Sequence, residues 1–112
     1  MARIQLKFKE SRMSERHVLT GLLPGKLFLQ NIETTCRPTD ISQHGLGVLI
    51  SQKFSEGSTG VLDIGTELIP LKIQWARPDF GKHDLWRYGL VCTDPSQNLI
   101  EIFRATGCLK NT

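Results

Sequence analysis

The chain is dominated by short segments in which apolar and polar residues alternate or apolar residues form brief runs. Turn-forming residues separate these segments, with Pro24-Gly25, Ser55-Glu56-Gly57-Ser58 and Ile64-Gly65-Thr66 as the clearest examples. The close spacing favours antiparallel hairpins over crossover helices, and so predicts an all-β barrel. The predicted strands are Val18–Leu23, Lys26–Asn31, Thr35–Arg37, Gly47–Ser51, Gly60–Ile64, Glu67–Trp75 and Arg87–Thr93.

One helix is predicted near the end of the chain. Asp94 offers an N-cap, and Pro95 then occupies the first turn, where a missing amide proton costs nothing. Gly107 predicts the end of this helix. Its apolar face is predicted to carry Leu99, Ile102, Phe103 and Thr106.

Within residues 1–11, positions 3–9 alternate strictly, with Ile4, Leu6 and Phe8 on one side and charged or polar residues on the other. We interpret this segment as an N-terminal arm or an edge strand of the barrel. The alternative is that it docks on a partner or a second copy, so we expect a monomer or a homodimer. Residues 108–112 are interpreted as a C-terminal tail.

Length and composition indicate one globular domain. At 112 residues, with 39% hydrophobic and 22% charged residues, the chain is long enough for a single core and unlike a disordered segment. It has neither an apolar stretch long enough to span a membrane nor an apolar secretory core at its start, so we expect a cytoplasmic protein without membrane insertion. Its three cysteines lack CxxC spacing, which predicts reduced thiols and no metal site.

Basic charge is concentrated at the N-terminal end. Residues 1–17 hold five Lys or Arg against two Glu, which leaves nine basic and nine acidic residues in 18–112. A short basic arm ahead of a neutral barrel favours a small anionic ligand over a nucleic acid, which would need a broad basic face.

Two short motifs point to a nucleotide. Arg12 and Arg16 provide guanidiniums that can grip phosphate or the O6/N7 edge of guanine. In Asp40-x-Ser42-x-x-Gly45, the carboxylate can accept from guanine N1–H and its amine, the hydroxyl can contact phosphate or ribose, and the glycine permits close approach. By itself this second string is also typical of a simple turn.

The ordered pair of motifs resembles the RxxxR and [DN]xSxxG signatures of the PilZ domain family, whose members with both motifs bind the bacterial second messenger cyclic di-GMP. The resemblance continues through Leu46–Ile50, Ile73–Trp75 and Arg87–Val91, and covers about Arg12 to Phe103. It implies a stand-alone PilZ domain at 12–107. The implied fold is all-β with a C-terminal helix, a six-stranded antiparallel split barrel.

The resemblance implies a cyclic di-GMP receptor that needs no other cofactor. The two arginines would close over the ligand from a flexible arm, the aspartate would face a guanine, the serine would contact phosphate or sugar, and the glycines would keep the surface open. Ordering of the arm would signal to a protein partner that controls motility, biofilm or exopolysaccharide. The implied binding residues are Arg12, Arg16, Asp40, Ser42, Gly45 and Gly47.

Some positions qualify this interpretation. Ser11 stands where the family often has a further arginine, which favours one bound dinucleotide over two. His17 and His44 flank the motifs, and a surface histidine beside a site is more often incidental than functional. The aromatic residues are expected in the core or at the rim, not as a base-stacking platform; these are Trp75, Trp86 and Tyr88.

Other functions are weaker. Ser42 and His44 lack the orienting third group of a nucleophilic site, so we expect no enzyme activity. A PilZ-like adaptor that acts by protein contacts, in pilus or flagellar regulation, is the main alternative. A barrel that binds RNA or single-stranded DNA would need basic residues along its strands, where they are here balanced by acidic ones.

Overall fold

The computed structural model describes residues 17–19, 23–79 and 84–107. The predicted N-terminal arm, both motif arginines and the predicted tail lie outside these residues. The described chain forms eight strands and one helix. They are β1 His17–Val18, β2 Lys26–Leu29, β3 Ile32–Thr34, β4 Cys36–Ile41, β5 Gly45–Ile50, β6 Thr59–Asp63, β7 Leu68–Pro78, β8 Trp86–Cys92 and α1 Leu99–Ala105.

All strands belong to one antiparallel sheet that curls into a half-barrel, in the order β1-β4-β5-β8-β7-β6-β2-β3. The prediction of an all-β fold with a C-terminal helix is confirmed, but the expected six strands are wrong. The stretch from Ile32 to Ile41 is divided at Thr35 because its first part pairs with β2 and its second with β5 and β1. The two-residue β1 adds the eighth strand.

A tight hairpin joins β2 and β3. Gln30 and Asn31 both have positive φ, 53° and 65°, which is the geometry of a two-residue turn between Leu29 and Ile32. The sequence analysis placed both residues inside one strand and so missed β3. Asn31 carried a signal, because asparagine tolerates the left-handed region better than most residues do.

Most of the remaining strands lie near their predicted positions, and two extend further than expected. Of the predicted strand Val18–Leu23, only Val18 belongs to a described strand, and residues 20–22 lie outside the described residues. β7 continues to Pro78 across an irregularity between Ile73 and Trp75. β4 continues to Ile41 across another between Pro38 and Asp40. A bulge of this kind bends a strand and redirects its side chains, which hides the strand from an alternation pattern.

The core lies on the concave face of the sheet, where β5, β7 and β8 contribute alternate residues. Tyr88 is fully buried, as expected for a core residue, and its hydroxyl donates to Gln52 O (2.8 Å) and accepts from Phe54 N (2.7 Å). This pair of bonds fixes the segment that follows β5. The core includes Leu27, Leu29, Ile41, Leu46, Val48, Ile50, Leu62, Ile69, Leu71, Ile73, Leu90, Leu99 and Phe103.

Helix α1 begins later than predicted. Asp94 accepts bonds from Ser96 N (2.9 Å) and Ser96 Oγ (2.7 Å), which lower the pKa of this carboxyl group and form a turn instead of a cap. The N-cap is Asn98, whose side chain accepts from Glu101 N at 3.2 Å. The predicted end is confirmed, because Gly107 follows the C-cap with φ of 84°.

Candidate functional site

Asp40 lies on the convex face of the sheet, directly after the β4 bulge. Its Cα is paired with Val18 on β1 and Gly47 on β5. Thr39 Oγ1 donates to Asp40 Oδ1 at 2.9 Å and helps to orient the carboxylate. The bulge therefore turns a strand residue, expected in a loop, into an acceptor that is half-buried against the sheet.

Gly47 is buried directly beneath this carboxylate. A Cβ at position 47 would overlap Asp40 Oδ1 and lie 2.6 Å from Thr39 Oγ1. Any larger residue must therefore displace the carboxylate. The geometry gives Gly47 a role in seating Asp40, which the sequence pattern alone did not contain.

The rest of the second motif forms a turn anchored to the end of the sheet and to α1. Ser42 N donates to Gly45 O at 2.9 Å, and a Cβ at Gly45 would lie 2.9 Å from Ser42 Oγ. Leu99 N donates to Gln43 O (2.8 Å), and Cys92 N donates to His44 O (2.7 Å). Because Ser42 is only 9% exposed, this serine contributes more to the turn than to an open surface.

An indole stands across the sheet from the carboxylate. In sheet register, Asp40 pairs with Gly47, Gly47 with Gly89, and Gly89 with Trp75. A Cβ at Gly89 would overlap the Trp75 ring, so the indole lies directly over this glycine. The Arg77 guanidinium lies 4.4 Å from the centre of the same ring, an arrangement typical of a cation–π contact.

Asp40, Gly47, Trp75 and Gly89 line a cleft of about 100 Å³. Its polar side chains are Thr39, Asp40, Gln74, Trp75 and Arg87, so one carboxylate faces several donors. The sequence analysis placed neither Gln74 nor Arg87 here. Only the register could bring them to Asp40, because they lie more than thirty residues away along the chain.

Arg87 is held at the rim of the cleft by an ion pair. Its Nη2 lies 3.6 Å from Asp79 Oδ1, and the arginine side chain is 44% exposed. A partly exposed pair at this distance contributes at most about 1 kcal/mol to stability. The guanidinium can therefore exchange this partner for another anion at low cost.

Two larger concavities lie elsewhere. One of about 360 Å³ is lined by Phe28, the β2–β3 turn and the start of β6, and one of about 230 Å³ by residues of β2, β3 and the start of β4. The first has no charged lining residue, and the second has Lys26 and Glu33 but no aromatic ring. We therefore assign the candidate site by the chemistry of the small cleft and not by size.

The described residues offer little for catalysis or metal binding. Within 17–19, 23–79 and 84–107, no three His, Cys, Asp or Glu side chains come together as metal ligands. Burial raises the pKa of the Cys36 thiol to about 11 and also raises that of Cys92, so neither ionises readily as a nucleophile. None of the described helices is long and apolar enough to cross a membrane.

No family model, curated protein or solved structure matches this chain. The motifs, the cleft and the charges around it are therefore the features that bear on function.

Proposed function

We propose that this chain is a PilZ-type receptor for cyclic di-GMP. The observation that carries the proposal is the position of Asp40, whose carboxylate is seated over Gly47 at the edge of a cleft closed on its far side by Trp75 and Arg87. A carboxylate that can accept from a guanine Watson–Crick edge thus lies opposite an aromatic ring and a guanidinium, which supports the proposal. Those three groups suit a base and its phosphate.

The ligand would be held from both sides. On the barrel, Asp40 accepts from guanine N1–H and its amine. The Trp75 ring, which packs over Gly89 and against the Arg77 guanidinium, forms a wall of the cleft and is not a stacking platform for the base. From the N-terminal side, Arg12 and Arg16 bind phosphate or the Hoogsteen edge of guanine. Each charge-assisted bond contributes on the order of 1.5 to 3 kcal/mol.

The size of the cleft supports a ligand that is only partly enclosed by the barrel. Its volume of about 100 Å³ is well below the roughly 300–1,000 Å³ of ordinary small-molecule sites. A dinucleotide must therefore extend over the sheet surface, where an arm carrying two arginines can cover it. Ordering of that arm on binding is the signal that we propose a protein partner detects.

The described sheet has eight strands, so the proposal does not rest on the strand count. Binding without chemistry is the proposed activity, since the cleft contains an acceptor and donors but no nucleophile aimed at a base.

Isothermal titration calorimetry tests the proposal. Wild-type protein is titrated with cyclic di-GMP, cyclic di-AMP and GTP, beside Arg12→Ala/Arg16→Ala and the matched control Arg104→Ala, an exposed arginine on α1. We expect low-micromolar or tighter binding of cyclic di-GMP alone. Loss of two charge-assisted bonds should weaken it at least about a hundredfold, with no change in the control.

The absence of heat from folded wild-type protein contradicts the receptor assignment. The PilZ-like adaptor would then become the better account, and the search would move to protein partners. Equal heats for cyclic di-GMP and cyclic di-AMP contradict a guanine-specific role for Asp40, because adenine has no N1–H to donate.

A further inference from the structure

Three arginines form one cross-strand row on the convex face of the sheet. In register, Arg37 on β4 pairs with Leu49 on β5, Leu49 with Arg87 on β8, and Arg87 with Arg77 on β7. Leu49 lies two residues after Gly47 on β5, and Arg87 lies two residues before Gly89 on β8, so each is on the same face of the sheet as its glycine. The row therefore lies one pleat, about 7 Å, from the row that holds Asp40.

This arrangement is unfavourable for the protein alone. Arg77 and Arg87 are directly opposite each other on the adjacent strands β7 and β8, and like charges at such positions repel. Asp79 pairs with Arg87 at 3.6 Å and is the one carboxylate in an ion pair with the row among the described residues. Arg37 and Arg77 are both exposed, so both are accessible to an anion from solvent.

The row is continuous with the candidate cleft. Arg87 belongs to both, because it lines the cleft beside Asp40 and stands at the centre of the row. Arg77 is linked to the cleft through its contact with Trp75. A ligand too large for the cleft would extend past Arg87 and contact the row of three guanidiniums. Guanidiniums bind phosphate oxygens with paired hydrogen bonds.

We propose that Arg37, Arg77 and Arg87 form a phosphodiester subsite on the barrel itself. The inference rests on the proposed function, and it assigns to the row one phosphate of the cyclic dinucleotide whose guanine is held at Asp40. The barrel then provides cationic contacts of its own, separate from the two motif arginines. Asp79 balances Arg87, as the sequence indicated, and the register adds that Arg37, Arg77 and Arg87 share one row.

The test compares Arg37→Gln/Arg77→Gln with wild type and with the control Arg104→Gln. Arg87 is retained because of its ion pair with Asp79. In calorimetry with cyclic di-GMP, we expect at least a tenfold loss of affinity in the double variant and none in the control. The salt dependence of binding should also become shallower, because fewer charges contact the ligand. An unchanged thermal midpoint would show that the loss is not due to unfolding.

The outcomes separate the two proposals. Wild-type binding with the double variant within twofold overturns the subsite and leaves the receptor function standing. Absence of wild-type binding overturns both. If the variant's thermal midpoint falls, the single variant Arg37→Gln decides the question, since Arg37 has neither the stacking contact of Arg77 nor the ion pair of Arg87. A loss of affinity in Arg37→Gln supports the subsite, and no loss overturns it.

Discussion

Gly47 and Gly60 both stand where a Cβ would overlap neighbouring atoms, but different parts of the structure depend on them. At Gly60 on β6, a Cβ would overlap the backbone oxygen of Phe28 and lie 2.7 Å from Leu29 Cδ2. At Gly47 on β5, it would overlap the end of the Asp40 side chain. The first glycine protects the pairing of β6 with β2, whereas the second protects the position of a single carboxylate.

The surroundings of the two glycines differ in the same way. Gly60 lines the concavity of about 360 Å³, which has no charged lining residue, while Gly47 lines the cleft of about 100 Å³ with Asp40 and Arg87. The larger space is where strands meet at a hairpin end, and the smaller one is where opposite charges face each other. The candidate site was therefore chosen by its combination of a carboxylate, an indole and a guanidinium, and not by volume.

Gly60→Ala should have the largest effect, and on stability. The methyl group meets backbone that cannot move without breaking β2–β6 pairing, so the loss should reach or exceed about 3 kcal/mol, the upper end for overpacking. For a domain of this size that lowers Tm by more than about 10 °C. Thermal denaturation followed by circular dichroism measures it. A Tm near that of wild type would contradict the assignment of Gly60 to packing.

Gly47→Ala should lower ligand affinity more than it lowers stability. The methyl group displaces side-chain atoms of Asp40 and Thr39, which can move, so the loss of Tm should be less than half that of Gly60→Ala. Affinity for cyclic di-GMP should fall at least about tenfold, because the carboxylate leaves its place. In an Asp40→Ala background, the same change should have no further effect on affinity. An additive loss would show that Gly47 acts independently of Asp40.

A smaller effect is expected at the other end of β4, where Cys36 lines the concavity of about 230 Å³. Burial raises the pKa of this thiol from 9.0 to about 11, so the folded state disfavours the thiolate. Its contribution to stability is fully present below pH 9 and is lost as the pH rises towards 11, on the order of 2 kcal/mol. Urea unfolding between pH 7 and pH 10.5 should show a shallower alkaline decline in Cys36→Ala than in wild type.

Cys36→Ala and Gly47→Ala should differ in their affinity for the ligand at pH 7. Cys36→Ala should bind cyclic di-GMP as wild type does, because it changes the packing at one end of β4 and leaves Asp40 at the other. Parallel alkaline declines in the two proteins would show that Cys36 is not the group responsible, and Cys92, whose pKa burial also raises, would be examined next.

The sequence predicted most strands to within a few residues, because apolar residues alternate with the period of a half-buried strand. It failed where that period is interrupted. Gln30 and Asn31, predicted as the end of one strand, have positive φ and form a turn, so β3 was not predicted. The bulge before Asp40 concealed the second half of β4. The helix start moved to Asn98 because Asp94 bonds to Ser96 instead. The start of a helix depends on which side chain caps it, and several residues before Leu99 can accept the capping hydrogen bond.

What the sequence determined by itself was the set of chemical groups and the class of fold. The two motifs supply the arginines, the carboxylate and the hydroxyl from which a guanine-nucleotide site is predicted, and short alternating segments specify an antiparallel sheet. What only the tertiary structure decided was which groups meet. Pairing across β4, β5, β8 and β7 brings Asp40 to Trp75 and Arg87, and aligns Arg37 with Arg77. Register between strands distant in the chain is set by packing of the whole inner face, so no local pattern contains it.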